Sequence, residues 1–463
     1  MEQDQTKTFI RDFTSGPILP SLLTFALPLF LSNLLQAVYN LVDMIVVGRA
    51  VGAAGLSGIA VGGDVLALLT FLSMGFSDAS QVIISMYLGA GRREKLSRFI
   101  GTMSSFLLLC AVGMSVLFLL LRTQVLHMLN TPAESWGQAM AYATVCMCGL
   151  VFIYGYNIVS AILRGLGDSK RPFLFIAVAA VLNVILDLVF VLGFRWEALG
   201  AALATVIAQA VSFGTALIYL CRRRARLGFE LAAHNFRIAP KELVLLIKLG
   251  VPFAIRQASV LISKFFVNYW INGYGVTVSA VSGVGYKLDV IGNLVGSAVT
   301  TAGSSMVGQN IGACRYDRAS RVLGSALLVN GVFYALLIAA FLLFPRSLFG
   351  CFTSDRGVLA VCMEYLPFLV VIYIASALRN SMHAFTFGCG NSRFNFCVAI
   401  LDAFVVRIGL SLLLGLTAGL GYRGFWAGSA AAGFVPFLLG AAYYLSGTWR
   451  KQARILNSDR AGS

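Results

Sequence analysis

Charge is what this chain most lacks. Only 12% of its 463 residues are Asp, Glu, Lys or Arg, about half the share of a soluble globular chain. That shortage excludes an ordinary water-soluble domain. Histidine is nearly absent, and His127, His234 and His383 stand isolated with no role assigned. The nine cysteines are scattered through apolar runs. Cys146 and Cys148 form the only close pair, and no metal-ligand spacing occurs. No metal is therefore expected, and the thiols read as small buried side chains. Nucleotide-binding loops and haem motifs are missing, so no cofactor is expected. ATP-driven work would need a separate subunit. The chain reads as a carrier and not as an enzyme. Alternating segments of about ten residues, the mark of a spanning barrel, are missing too. The opening MEQDQTKTFIRDF lacks the basic-then-apolar order of a cleaved signal, so the first helix is expected to stay in the mature chain.

What is present is apolar. Hydrophobic residues make up 59% and mean hydropathy is +0.84. Apolar runs of about twenty residues, long enough to cross roughly 30 Å of hydrocarbon, recur throughout. They predict an all-α integral membrane protein with twelve transmembrane helices. The expected spans are 19–48, 60–88, 99–121, 138–163, 172–194, 198–221, 243–271, 281–310, 322–344, 360–387, 395–417 and 424–446.

The net charge of +16 would suit nucleic acid, but its placement says otherwise. The connections alternate in charge. One side gathers 23 basic residues, including Arg92, Arg93, Lys95, Arg98, Lys170, Arg171, the RRRAR at 222–226, Arg315, Arg318 and Arg393. Lys7, Arg450, Lys451, Arg454 and Arg460 are counted among the 23. The other side holds six: Arg49, Arg122, Arg195, Arg346, Arg356 and Arg423. By the positive-inside rule the first side is cytoplasmic. A multi-pass protein of the cell membrane with both termini cytoplasmic is expected, with lipid as its surroundings, no nucleic-acid partner, and a monomeric state.

The chain repeats itself. GLGDSK at 165–170 returns as GCGNSR at 388–393, and LGAGRRE at 88–94 as IGACRYD at 311–317, both displaced by 223 residues. ALPLF at 26–30 matches GVPFA at 250–254. The expected organisation is an N-terminal lobe (1–221), a cytoplasmic linker (222–242) and a C-terminal lobe (243–463). Both lobes start on the same side, so they form parallel six-helix repeats, an arrangement known in secondary transporters.

Polar groups inside the spans point to a site. In SNLLQAVYNLVDMIVVG, Asn33, Gln36, Asn40 and Asp43 fall at i, i+3, i+7 and i+10, on one helical face. Lipid cannot satisfy them, so that face meets protein or water. In VLNVILDLVFVLG, Asn183 and Asp187 lie at i and i+4. A charged Asp near the bilayer centre costs roughly 2.5–3.5 kcal/mol, and an amide would lock helices without that cost. Asp187 lies about 15 residues into its helix, roughly 22 Å, and Asp43 just before the same end of helix 1. The two can share one cavity. Burial disfavours the charged form of a carboxylate and a second carboxylate disfavours it further. Such a pair can take up a proton and titrate as a unit, or hold a cation when ionised. Asp43, Asp187 and Asn183 are the candidate coupling residues, with H+ or Na+ as the ion. Gln36, Tyr39, Asn40, Tyr154, Asn157, Ser160 and Thr205 are candidate substrate contacts.

The second half carries Arg256, Gln257, Lys264, Asp289, Arg379, Asp402 and Arg407 within spans. Mixed charges of this kind read first as structural ion pairs, with gating or anion handling as the other reading. Asp43 and Asp187 map onto Val267 and Leu410, so the acidic pair is not duplicated. Asp78 lies deep in its span, in MGFSDAS, and the sequence gives no account of its role.

These features together resemble the multidrug and toxic-compound extrusion (MATE) family. The resemblance covers nearly the whole chain. It rests on LPLFLSNLLQAVYNLVDMIVVG, RGLGDSKRP, LNVILDLVFVLG and GQNIGA in their order and spacing. It implies two pseudo-symmetric lobes forming a V around a central cavity. It also implies efflux of small-molecule drugs, organic and often cationic, driven by protons or sodium. In the DinF-like branch of that family, Asp43 with Gln36, the Asn183–Asp187 pair, Asn157 and Thr205 match functional positions. A flippase for a lipid-linked intermediate is the alternative, because a pyrophosphate head needs Arg or Lys. The acidic first lobe argues against it.

Overall fold

A computed structural model of the chain describes residues 10–223 and 233–450. Of the basic residues weighed for orientation, Lys7, Arg224, Arg226, Lys451, Arg454 and Arg460 lie outside the described residues, as does 224–232 of the linker.

Among the described residues there is no strand. Eleven helices among these residues are long and apolar enough to cross a membrane, and a bent pair, taken as one span, makes twelve. The spans are α1 (Ile18–Val46), α2 (Ala54–Gly89), α3 (Arg93–Leu120) and the bent α4 (Ala133–Cys148 with Leu150–Gly165, 49°). Next come α5 (Lys170–Gly193), α6 (Glu197–Arg223), α7 (Pro240–Asn272) and α8 (Val276–Gly312). The last four are α9 (Tyr316–Leu343), α10 (Arg356–Gly388), α11 (Ser392–Thr417) and α12 (Tyr422–Leu445). Large apolar side chains such as Leu109, Leu120, Val181 and Leu336 remain exposed along them, as a lipid-facing surface requires.

Three spans begin six residues before the expected bound: α2 at Ala54, α3 at Arg93 and α9 at Tyr316. The first turns of α3 and α9 carry Glu94 and Asp317, which suit a helix N-terminus because the dipole there is positive. Hydropathy registers the apolar stretch, and the polar turns that extend the helix escape it. Between α1 and α2 the chain breaks at Gly52 (φ 73°, ψ −170°), a conformation essentially confined to glycine.

The described chain forms two compact units. One takes in Leu27–Ala254 and the other Phe13–Ala26 together with the chain from Ile255. The boundary falls inside α7. Within the second unit, the segment before α1 is fastened to the α8–α9 corner. Phe13 N donates to Gln309 Oε1 (2.9 Å), Asn310 Nδ2 to Phe13 O (3.1 Å) and Arg315 to Thr14 O (2.8 Å). In the first unit α6 packs on α4 and α5, and in the second α10 packs on α8 and α9.

The duplication extends to hydrogen-bond geometry. Gly167 and Gly390, 223 residues apart, both have positive φ (88° and 68°). The next residue caps the following helix in each case. Asp168 Oδ1 accepts from Arg171 N (3.2 Å), and Asn391 Oδ1 accepts from Phe394 N (3.1 Å). Burial lifts the Asp168 carboxyl above its ordinary 3.8, against the pull of Arg171 and Lys170. A carboxyl raised on folding adds stability below its unfolded value and loses it as pH rises. Asp168→Asn, which copies the second repeat, should therefore keep the cap and flatten that loss. Asp168→Ala should cost about 1 kcal/mol. Thermal melting of both variants between pH 4 and 8 checks this.

Candidate functional site

Four helices of the first unit, α1, α4, α5 and α6, converge on the predicted carboxylates. Asp187 is completely buried and Asn183, one turn before it, nearly so. The Asp43 and Asp187 carboxyls lie within hydrogen-bonding reach of each other. Among the described residues no N–H or O–H group reaches Asp187 Oδ1, Asp187 Oδ2, Asp43 Oδ1 or Asn183 Oδ1. Buried acceptors without donors are rare and call for an explanation. A carboxyl donates only when it carries a proton. One proton between the two would join them, and without it they repel.

Backbone geometry sets this up. Asp187 is the last residue of regular α-helix in α5, and Leu188–Gly193 winds as a π-helix. Such turns shift side chains off the regular helical face and cluster at functional sites. α4 bends next to Gly149, where a Cβ would meet Val206 Cγ2 at 2.5 Å, so glycine lets α4 approach α6 closely. Asn183 Nδ2 reaches Thr205 Oγ1 on α6 at 3.5 Å. Tyr39, one turn before Asp43, stands near Asp43, Asp187 and Tyr156.

The other candidates separate by environment. Gln36 is half-buried and Asn40 exposed on the α1 stripe. Asn157 Nδ2 donates to Ser73 Oγ on α2 (3.1 Å). Ser160 is buried and accepts from Arg164 Nη1 (2.9 Å). Tyr154 is fully buried, with its hydroxyl on Leu69 O (2.8 Å). Asn157 and Tyr154 therefore bond to α2, and Ser160 bonds within α4. Asp78, unexplained in the sequence, faces Arg164 at 3.9 Å, and Arg164 Nε also donates to Gln81 (2.7 Å).

Tyr142 was not anticipated. It lies in α4 close to Thr205, Asp43 and Tyr39, packed in a core with Cys146 and Val191. The available signal was a phenol inside an apolar span, where the hydroxyl needs a partner.

In the second unit Lys264 Nζ pairs with Asp289 Oδ2 (2.9 Å) and Arg407 Nη2 with Asp402 Oδ1 (2.9 Å). Lys264, Asp289, Arg379 and Arg407 line one cavity. Arg256 lies over the Phe387 ring (4.7 Å) and Gln257 is half-buried beside it, both outside that lining. Among the described residues no group of three or more His, Cys, Asp or Glu could hold a metal ion.

Comparison with known proteins follows the repeat. The MatE family model matches residues 28–189 and again residues 252–413. The chain is 28% identical over 457 residues to "Probable multidrug resistance protein YoeA" of Bacillus subtilis (strain 168), covering 98% of both. It is 28% identical over 442 residues to "Probable multidrug resistance protein YpnP" of the same strain, covering 95% of this chain and 97% of that one. A solved structure described as the outward-facing conformation of a multidrug resistance MATE family transporter superposes with a TM-score of 0.87 at 21% identity. That match covers 97% of this chain and 99% of the other.

Proposed function

Since this chain belongs to the MATE family, whose members are multidrug transporters, we propose that it is a proton-coupled antiporter exporting organic, often cationic amphipathic compounds by alternating access. It is a multi-pass membrane protein. The observation that carries the reading is the Asp43–Asp187 pair, with three buried oxygens that no donor reaches among the described residues.

A proton entering between the two carboxyls removes repulsion and draws α1 toward α5. Proton loss restores negative charge that attracts a cationic compound. Proton and compound thus compete for the same charge, which is the linkage antiport requires. Asn183 and Thr205 keep α5 and α6 in register behind the pair, while Gln36, Tyr39 and Asn40 offer the α1 surface to the compound. Sodium is the rival ion, because the same oxygens could hold it. The charge bias of the connections supports a cytoplasmic position for both termini.

Imposing pH and sodium gradients separately on proteoliposomes, at fixed membrane potential, tests the proposal. Uptake of ethidium driven by the pH gradient alone, with none under sodium alone, is expected. The reverse pattern would assign the pair to sodium, and no flux under either would overturn antiport.

A further inference from the structure

We propose that the cavity inside the second unit binds the anionic group of an aromatic organic solute, a carboxylate or sulfonate, with Arg379 as its counter-charge. The occupied class would then include zwitterions and organic anions besides the cations suited to the first unit.

The inference starts from charge. The cavity wall carries Lys264, Arg379 and Arg407 against Asp289 alone. Asp402 stands behind the wall and pairs with Arg407 (2.9 Å). Lys264 is matched by Asp289 (2.9 Å). Two cations are thus matched by two carboxylates, and one cation is left over. Among the described residues Arg379 forms no ion pair with a carboxylate. Its hydrogen bonds both leave from Nη2, to Asn293 Oδ1 (3.3 Å) and Ser376 Oγ (3.0 Å), and both acceptors are neutral. A guanidinium has five N–H donors and no acceptor, so among the described residues the Nε and Nη1 hydrogens of Arg379 meet no acceptor. Arg407 Nε is likewise buried without a partner at the same wall.

Depth supplies the second constraint. Asp289 lies 13 residues from the start of α8, roughly 20 Å along it. Arg379 lies nine residues before the end of α10, roughly 14 Å. The excess charge therefore sits well inside the spans, where ionisable groups face protein or water and normally serve function. A lipid headgroup stays near the membrane surface, so a solute within the spans is the better match. The walls settle the rest of its chemistry. Tyr286, Tyr365 and Trp426 contribute aromatic surface and Asn268 and Ser429 contribute polar groups. The empty space is about 730 Å³ with the open solvent at its mouth included. A ring bearing one carboxylate satisfies both the unused donors and the aromatic surface.

The site is separate from Asp43 and Asp187, and binding needs no gradient. Failure of proton coupling would therefore leave it standing. Calorimetric titration of the purified full chain with 1-naphthoate, and with its neutral isostere 1-naphthamide, provides the test. Saturable naphthoate binding is expected, at least about tenfold tighter than naphthamide. Arg379→Gln should erase that preference and leave naphthamide unchanged. Arg379→Lys, which retains the charge, should keep naphthoate within a few-fold and controls for folding. Equal binding of acid and amide, or unaltered naphthoate binding in Arg379→Gln, would overturn the proposal. Binding of chloride or phosphate with none of naphthoate would reduce the cavity to a structural counter-ion site and overturn it as well.

Discussion

Asp187→Asn is expected to reduce pH-driven ethidium transport in proteoliposomes to the leak of protein-free vesicles, while the protein stays folded. The two halves of that result have one cause. Asn keeps the size and one acceptor oxygen of Asp187 but cannot exchange a proton, so the Asp43 carboxyl loses its switchable partner. It also removes a carboxyl from a fully buried position with no donor. A charged Asp deep in a span carries roughly 2.5–3.5 kcal/mol of penalty, so melting temperature should hold or rise. A residue that only locked helices together would behave in the opposite way, with lower stability and partly retained transport. Asp43→Asn should follow Asp187→Asn, and the double variant should add nothing, because under the proposed coupling one proton serves both carboxyls. Wild-type flux in either single variant would sink the coupling role.

The carboxylate site was largely legible because membranes make polar groups expensive. Asp43, Asn183 and Asp187 stood out against apolar neighbours, and helical spacing put each on a definable face. Their meeting in one place needed only the depth of each residue along its span. Tyr142 escaped because one phenol in an apolar run gives a face and no partner. Tyr154 looked equivalent to Tyr39 in the sequence, yet its hydroxyl is bonded to Leu69 O. Which face of a helix meets a neighbour is decided by packing that periodicity alone does not encode. The duplication was readable from loop motifs, and the matched caps at Asp168 and Asn391 give its physical basis. The π-helical turns were invisible, since α5 and α11 are apolar nearly all round and a change of winding leaves no mark on such a pattern. Arg379 could be seen in the sequence, but its leftover charge could not. That depends on how Lys264, Asp289, Asp402 and Arg407 pair.

Arg407→Gln is expected to cost about 3–5 kcal/mol of stability, the usual effect of removing one partner of a buried ion pair. Arg407 and Asp402 are 3% and 4% exposed, so water cannot replace the lost guanidinium. The pairing itself is a product of unusual winding. Residues five apart on an α-helix point about 140° away from each other, since each step turns about 100°. Leu401–Ile408 winds as a π-helix, whose i→i+5 bonding brings Arg407 round to Asp402. Arg407 then extends to Ser429 O (3.2 Å) and ties α11 to α12. Asp402→Leu combined with Arg407→Met removes both charges and should recover most of the loss, because two apolar side chains need no counter-charge. Melting curves of the single and double variants in detergent decide the matter. A single variant that melts with the wild type would show that solvent reaches the pair. A double variant no better than the single would place the stability in the bond to Ser429 and not in the pairing with Asp402.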